Sequence, residues 1–194
     1  MSIRKTIPDT EGIYFITFTC YQWLPLFQVT QGYDIIYNQF DILRKEGHYL
    51  LGYVIMPDHL HTLIAFRNIG KTINSRVGTM KRFIAYDLVA RLKSNEQHDL
   101  LQRMAGGVNA ADRKRGKLHE VFELSFDSKH CLTPAFIQQK LDYIHNNPCA
   151  AKSQLTDGPA DYLHSSAHYY LTGSQGVYPV TNYMEMEDID LTIQ

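Results

Sequence analysis

The sequence is poor in cysteine. It has three, Cys20, Cys131 and Cys149, far apart and odd in number. With no C-x-x-C pair they indicate neither a zinc site nor a disulfide framework, and they suit a reducing cytoplasm. Long apolar runs are also missing: no uninterrupted stretch approaches the ~18 residues that mark a membrane-span candidate, so no membrane partner is expected. The opening MSIRKTIPDTEG lacks the apolar segment of a secretory signal, which again points to the cytoplasm. A dominant charge is absent too, since 19 Lys/Arg meet 20 Asp/Glu for a net charge of −1. That balance argues against indiscriminate attraction to nucleic acid. No internal repeat or low-complexity segment is present.

What is present fits one compact domain with a proper core: 194 residues, rich in Tyr (13) and Phe (9). Those rings suit sheet and core packing, with base stacking as a second use for a few. The charges are also unevenly placed. From Arg67 to Lys117 there are twelve Lys/Arg against four acids, an excess of eight, whereas the end carries Glu185, Glu187, Asp188 and Asp190. A basic centre with an acidic tail is a usable footprint for phosphate binding, or else a solvated helix face plus a charged loop.

Residues 13–20 (IYFITFTC) alternate and are rich in β-formers, predicting a strand. Residues 30–46 read as a helix capped by Thr30, with Ile35, Ile36, Phe40 and Leu43 at helical spacing and Gly47 as its stop. Two strands follow, 49–56 and 59–66, joined by a tight turn at Pro57-Asp58. Residues 72–94 form a long amphipathic helix, with Val77, Met80, Ile84, Leu88 and Leu92 on one side. The Gly-rich, then basic, stretch 103–117 reads as a flexible loop or insertion, and 119–126 as a strand. Thr133-Pro134 is a helix start, Thr as N-cap and Pro at the first position, and that helix runs to Asn147 before Pro148. Residues 1–150 thus form the main unit. Residues 151–194 form an appendage of the same domain, with a brief helix near 165–171. The first six elements, β-α-β-β-α-β, match an α+β, ferredoxin-like (split βαβ) plan: an antiparallel sheet with helices on one face, here followed by one more helix.

Two clusters carry chemistry. His59 and His61 sit at the start of a strand, where residues i and i+2 share a face. Both imidazoles can converge on one divalent ion, or they are two ordinary satisfied or exposed histidines. The second cluster is the helix KLDYIHNNP. At roughly 100° per residue with Ile137 at zero, Leu141 lies at about 40° and Ile144 at about 340°, which makes these three the core face. Tyr143 (about 240°) and Asn147 (about 280°) then share one flank, with Lys140 (about 300°) beside them. A phenol at i can attack phosphorus while a carboxamide at i+4 completes a metal shell. Otherwise the pair is a half-buried helix tyrosine and a capping asparagine. His145 faces away and is structural or exposed.

Taken together, YVIMPDHLHTLI (53–64), KLDYIHNNPCAAK (140–152) and DYLHSSAHYY (161–170) resemble the REP-associated tyrosine transposases, cellular relatives of the single-tyrosine insertion-sequence transposases of the HUH superfamily. The resemblance runs from the first strand to about Tyr170. It implies the ferredoxin-like HUH fold, His59 and His61 as the metal pair, Tyr143 as nucleophile on the helix behind the sheet, and Asn147 as a polar third ligand. The metal would be Mg²⁺ or Mn²⁺. The substrate would be single-stranded DNA beside a short hairpin, cut to a 5′-phosphotyrosine and a free 3′-OH. The chain departs from that pattern after the Asn-Pro, where it reads CAAK with Lys152 as the nearby base, and in its acidic end.

Strand transfer is therefore the leading expectation. The alternatives are a domesticated hairpin DNA- or RNA-binding protein without catalysis, and a metal-dependent RNA or nucleotide phosphodiesterase with Tyr143 structural. Expected DNA contacts are Lys81, Arg82, Arg113, Lys114, Arg115, Lys117 and Lys140. Oligomeric state stays open between monomer and homodimer.

Overall fold

The structure is a computed structural model that describes residues 7–123 and 126–192. Its centre is a four-stranded antiparallel sheet in the order β2-β3-β1-β4, formed by β1 (Gly12–Thr19), β2 (Tyr49–Ile55), β3 (His59–Phe66) and β4 (Asp127–His130). This is the split βαβ arrangement that the element order predicts, so the fold is α+β and ferredoxin-like.

Strand alternation divides the side chains between two apolar layers. Tyr14, Ile16 and Phe18 of β1 and Leu60, Ile64 and Phe66 of β3 enter one layer. There they meet α2 (Tyr33–Lys45) through Ile35, Ile36, Phe40 and Leu43, and α3 (Ile73–Ser94) through Val77, Met80, Ile84, Leu88 and Leu92. Phe15, Leu63 and Ala65 enter the other layer, with Leu51 and Val54 of β2. That face is covered by α6 (Pro134–Asn146) through Ile137, Leu141 and Ile144, the three positions predicted from helical spacing. The two crossover helices therefore share one face, while the helix after the last strand takes the opposite one.

Three features fix α6. Thr133 accepts a hydrogen bond from the Phe136 N–H at 3.2 Å, with Pro134 at the first helical position. Burial of Ile137, Leu141 and Ile144 contributes roughly 1.5–3 kcal/mol each. Finally, the helix approaches the sheet over Gly52, where β2 shifts register: a Cβ there would lie 2.5 Å from Leu141 Cδ2, so any larger residue would force the Leu141 side chain to move. Asn147 keeps helical dihedrals (φ −57°, ψ −43°), so its one-turn relation to Tyr143 survives the tightening of the chain into the following Pro148 turn.

The C-terminal segment covers the open edge of β2. Ser166 exchanges backbone and side-chain hydrogen bonds with Tyr53, and Ile55 N–H donates to His164 O at 2.9 Å. His145, buried, meets Ser166 Oγ at 2.9 Å and ties α6 to this segment, so of the two roles left open for it the structural one holds. The brief helix expected near 165–171 is α7 (Ala167–Thr172).

Three expectations need correction. Thr30 does not cap α2, which is preceded by Gly32; it ends a separate short helix, α1 (Leu26–Val29), where its hydroxyl donates to Leu26 O. The stretch 103–117, read as a loop, is mostly helical: α4 (His98–Gly106) and α5 (Ala110–Lys114). Met104 anchors α4 in the core, and Asn109 caps α5 by accepting from the Asp112 N–H. The strand expected at 119–126 is not β4. Val121 and Phe122 are buried and make a single bridge, Cys20 to Phe122, while Leu124 and Ser125 lie outside the described residues. The true fourth strand is the polar DSKH, whose main chain pairs with β1 at the sheet edge and needs no apolar alternation.

Candidate active site

The first two residues of the β3 face that α6 covers are His59 and His61. Their register against β1 sets Thr19 opposite His59 and Thr17 opposite His61. Thr17 Oγ1 lies 2.7 Å from His61 Nδ1, and Asp58 Oδ1 lies 2.6 Å from His59 Nδ1. Each imidazole is thus held by its Nδ1, which leaves its Nε2 pointing out; this is how protein partners orient metal-binding histidines. Both Nε2 atoms meet the Asn147 carboxamide: His59 Nε2 is 3.3 Å from Oδ1 and His61 Nε2 is 3.3 Å from Nδ2.

Burial pushes the His61 imidazole down to about 3, and His59 and Lys140 nearby add to the shift. His61 is therefore neutral at physiological pH, the form in which an imidazole can ligate a metal. With Nδ1 of His59 given to Asp58, its Nε2 faces the Asn147 oxygen, and in a neutral imidazole donating from Nδ1 these are two lone pairs turned toward each other. A cation between them would relieve that contact, so these residues fit a divalent ion. No group of three or more His, Cys, Asp or Glu placed to hold a metal occurs among the described residues, so a third donor beside the two histidines would have to come from another group, such as the Asn147 carboxamide.

Tyr143 stands one helical turn before Asn147. Its ring is 5.1 Å from the His61 ring and 5.9 Å from Phe15, edge-on to both, and the residue is 51% exposed. The phenol therefore opens into a cleft of about 1020 Å³ that the histidines and Asn147 also line. Lys140 lines the same cleft, its ammonium 5.2 Å from the Phe15 ring centre and 4.9 Å from that of Phe136.

The other basic residues singled out from the sequence do not line this cleft. Lys81, Arg82, Arg115 and Lys117 line a second one beside α3, on the other side of the sheet. There Lys81 donates to Glu123 O at 2.6 Å and lies over Phe18 and Phe122; burial pulls its ammonium down to about 8. Lys117 pairs with Glu120 at 2.5 Å, Arg115 reaches Asp112 at 3.7 Å, and Arg113 donates to Ala105 O at 2.7 Å. Lys114 is exposed on α5, and Arg82 stacks on its neighbour Phe83.

Sequence reasoning missed several residues of the first cleft. Asp58 was read only as a turn residue, although a carboxylate next to a ligand histidine is itself a signal. Thr17 depends on β1–β3 register, and Lys129 lies on the strand whose polar sequence hid it. Trp23, also in the cleft wall, carried no motif.

No protein-family model matches the chain, and no curated protein matches it. Among solved structures, a REP-associated tyrosine transposase bound to a REP hairpin superposes at a TM-score of 0.61 with 15% identity, over 100% of this chain and 98% of that one. A candidate transposase from Deinococcus radiodurans R1 gives a TM-score of 0.41 and 16% identity over 74% of this chain and 96% of that one, a likeness too slight to argue from. At 15% identity the first likeness is one of fold: the chain is built as a REP-associated tyrosine transposase is built.

Proposed function

We propose that the chain is a tyrosine transposase of the HUH type, a metal-dependent enzyme that nicks and rejoins single-stranded DNA beside a hairpin. One observation carries this reading. Two imidazole Nε2 atoms meet one carboxamide at 3.3 Å, and a half-exposed tyrosine sits one turn back on the same helix. The shared fold with a hairpin-bound tyrosine transposase supports the substrate class. Residues 1–150 would carry the chemistry, with 151–194 as their appendage.

His59, His61 and Asn147 would hold the ion. A bound Mn²⁺ or Mg²⁺ would polarise the scissile phosphate and neutralise the charge that builds on it, and two nitrogens with one oxygen suit Mn²⁺ better than the oxygen-preferring Mg²⁺. Tyr143 Oη attacks phosphorus. The Oη–P bond forms as the P–O3′ bond breaks, and the phenol proton ends on the departing 3′ oxygen. The resulting 5′-phosphotyrosine conserves the bond energy for rejoining. Lys140, with Lys129 and Lys152 on the same cleft wall, brings positive charge to the DNA backbone.

The test is a denaturation-resistant protein–DNA adduct, formed with a tailed DNA hairpin and Mn²⁺. The wild type yields it, and both Tyr143→Phe and chelation of the metal abolish it. Tight hairpin binding with no adduct over a panel of tails would instead make the chain a binding protein without catalysis.

A further inference from the structure

The wall of the active-site cleft holds the chain's single tryptophan, Trp23, 62% exposed. A lone exposed apolar side chain is ordinary. The backbone beneath this one is not. Gln22 (φ 50°, ψ 32°) and Trp23 (φ 57°) are consecutive residues in the left-handed region, which side-chain-bearing residues rarely adopt. The pair is held there from several directions. Gln22 N–H donates to Glu123 Oε1 at 2.8 Å, Arg103 Nε–H donates to Gln22 Oε1 at 2.7 Å, and Trp23 N–H donates to Cys20 O at 3.0 Å. Cys20 N–H in turn donates to Asp58 O, so the loop is tied to the residue that orients His59. Strained backbone that the surroundings over-determine clusters at functional sites.

The indole stands across the His59 ring, centroids 5.6 Å apart and planes at 76°. From Trp23 a row of rings leads into the site: His59 to His61 at 4.8 Å, then His61 to Tyr143 at 5.1 Å. Two of the three lysines of the cleft, Lys129 and Lys140, lie toward the other end, by Phe15. A strand whose phosphate meets the histidines thus finds cations on one side and an open aromatic surface on the other.

We propose that Trp23 is a stacking platform for the base of an unpaired nucleotide that flanks the scissile phosphate. This rests on the strand-nicking reading and adds to it the group that grips the strand next to the reaction. Every base has a π-face, so such a platform positions the strand with little sequence preference, while phosphate contacts supply the salt-dependent part of the affinity.

The sole tryptophan makes the test direct. A DNA hairpin with a single-stranded dT tail, and the same hairpin without the tail, are titrated with the metal chelated so that no cutting occurs. Tail binding quenches Trp23 emission and the blunt hairpin does not. An abasic nucleotide restores emission at one tail position only. By fluorescence anisotropy of labelled DNA, Trp23→Ala weakens tail binding about ten- to a hundred-fold and Trp23→Phe only a few-fold, with the wild-type salt slope in both. Matching thermal melts show that the variants are folded. Salt-dependent tail binding with unchanged emission and wild-type affinity in Trp23→Ala would overturn the platform and leave the DNA reading standing. A wild type that binds neither probe would overturn both.

Discussion

The cleft under α6 and the cleft beside α3 differ in what holds their cationic side chains. The α3 cleft, about 740 Å³, is the richer in charge: Lys81, Arg82, Lys93, Arg115 and Lys117 line it together with Asp112, Glu120 and Glu123. Much of that charge is already engaged, Lys81 by a backbone carbonyl and two rings, Lys117 by Glu120 and Arg115 by Asp112. The α6 cleft holds three lysines, and among the described residues Lys140 meets ring faces and no carboxylate, which leaves its ammonium able to meet phosphate. Charge counted along a chain therefore measures how many cations a region has, whereas their partners decide how many remain available.

The comparison can be tested, the largest effect first. Tyr143→Phe removes the adduct entirely, while Arg115→Ala and Lys117→Ala leave its yield within a few-fold of wild type. An adduct assay that ranks these the other way would move the active centre to the α3 side. Thr17→Val removes the group holding His61 Nδ1, and loss of such an orienting partner costs about 10–100-fold in metal affinity. Mn²⁺ titration followed by EPR reads this, and an unchanged affinity would mean that Thr17 does not orient a ligand.

Lys81 tests the α3 side alone. Its folded-state value, about 8, lies below the ordinary lysine value because burial disfavours the charge. Between those two values the unfolded chain binds more protons at Lys81, so the contribution of this one group to stability rises as pH climbs through that window. The rise is roughly 2 kcal/mol after allowance for partial exposure. Denaturant unfolding at pH 7.5 and pH 10 reads it as a change more favourable in the wild type than in Lys81→Met, since the opposing contributions of Cys20 and the buried tyrosines are common to both; an equal change in the two proteins would show that Lys81 contributes nothing. Smallest of all, Lys140→Ala lowers the slope of log affinity against log salt by about 1, and Lys117→Ala leaves it alone. Equal slopes would erase the distinction between free and engaged lysines.

The legible parts of the site were those governed by local periodicity. His59 and His61 share a face because strand side chains alternate. Tyr143 and Asn147 share a flank because they are one helical turn apart. Thr133-Pro134 starts its helix by satisfying its own first turn. What was not legible depends on partners distant in sequence. Thr17 meets His61 across 44 positions, and Lys81 is engaged by a carbonyl 42 residues later. β4 escaped because an edge strand draws on main-chain hydrogen bonds and leaves no apolar signature, and α4 because a single buried Met104 anchors a stretch that otherwise reads as a loop.

By itself the sequence determined the strands β1, β2 and β3, the helices α2 and α3, the core face of α6, and the two pairs His59/His61 and Tyr143/Asn147 as units. These follow from spacings of two to four residues, over which backbone geometry is rigid. Only the tertiary structure decided that the two pairs meet. Gly52 lets α6 come down on the sheet, and antiparallel pairing of β1 with β3 aligns Thr17 with His61, which brings the two imidazoles of β3 and the carboxamide at the end of α6 to 3.3 Å. It also decided which lysines stay available and that a strained loop holds Trp23 at the site. Such outcomes depend on register and packing between elements, and no local pattern encodes them.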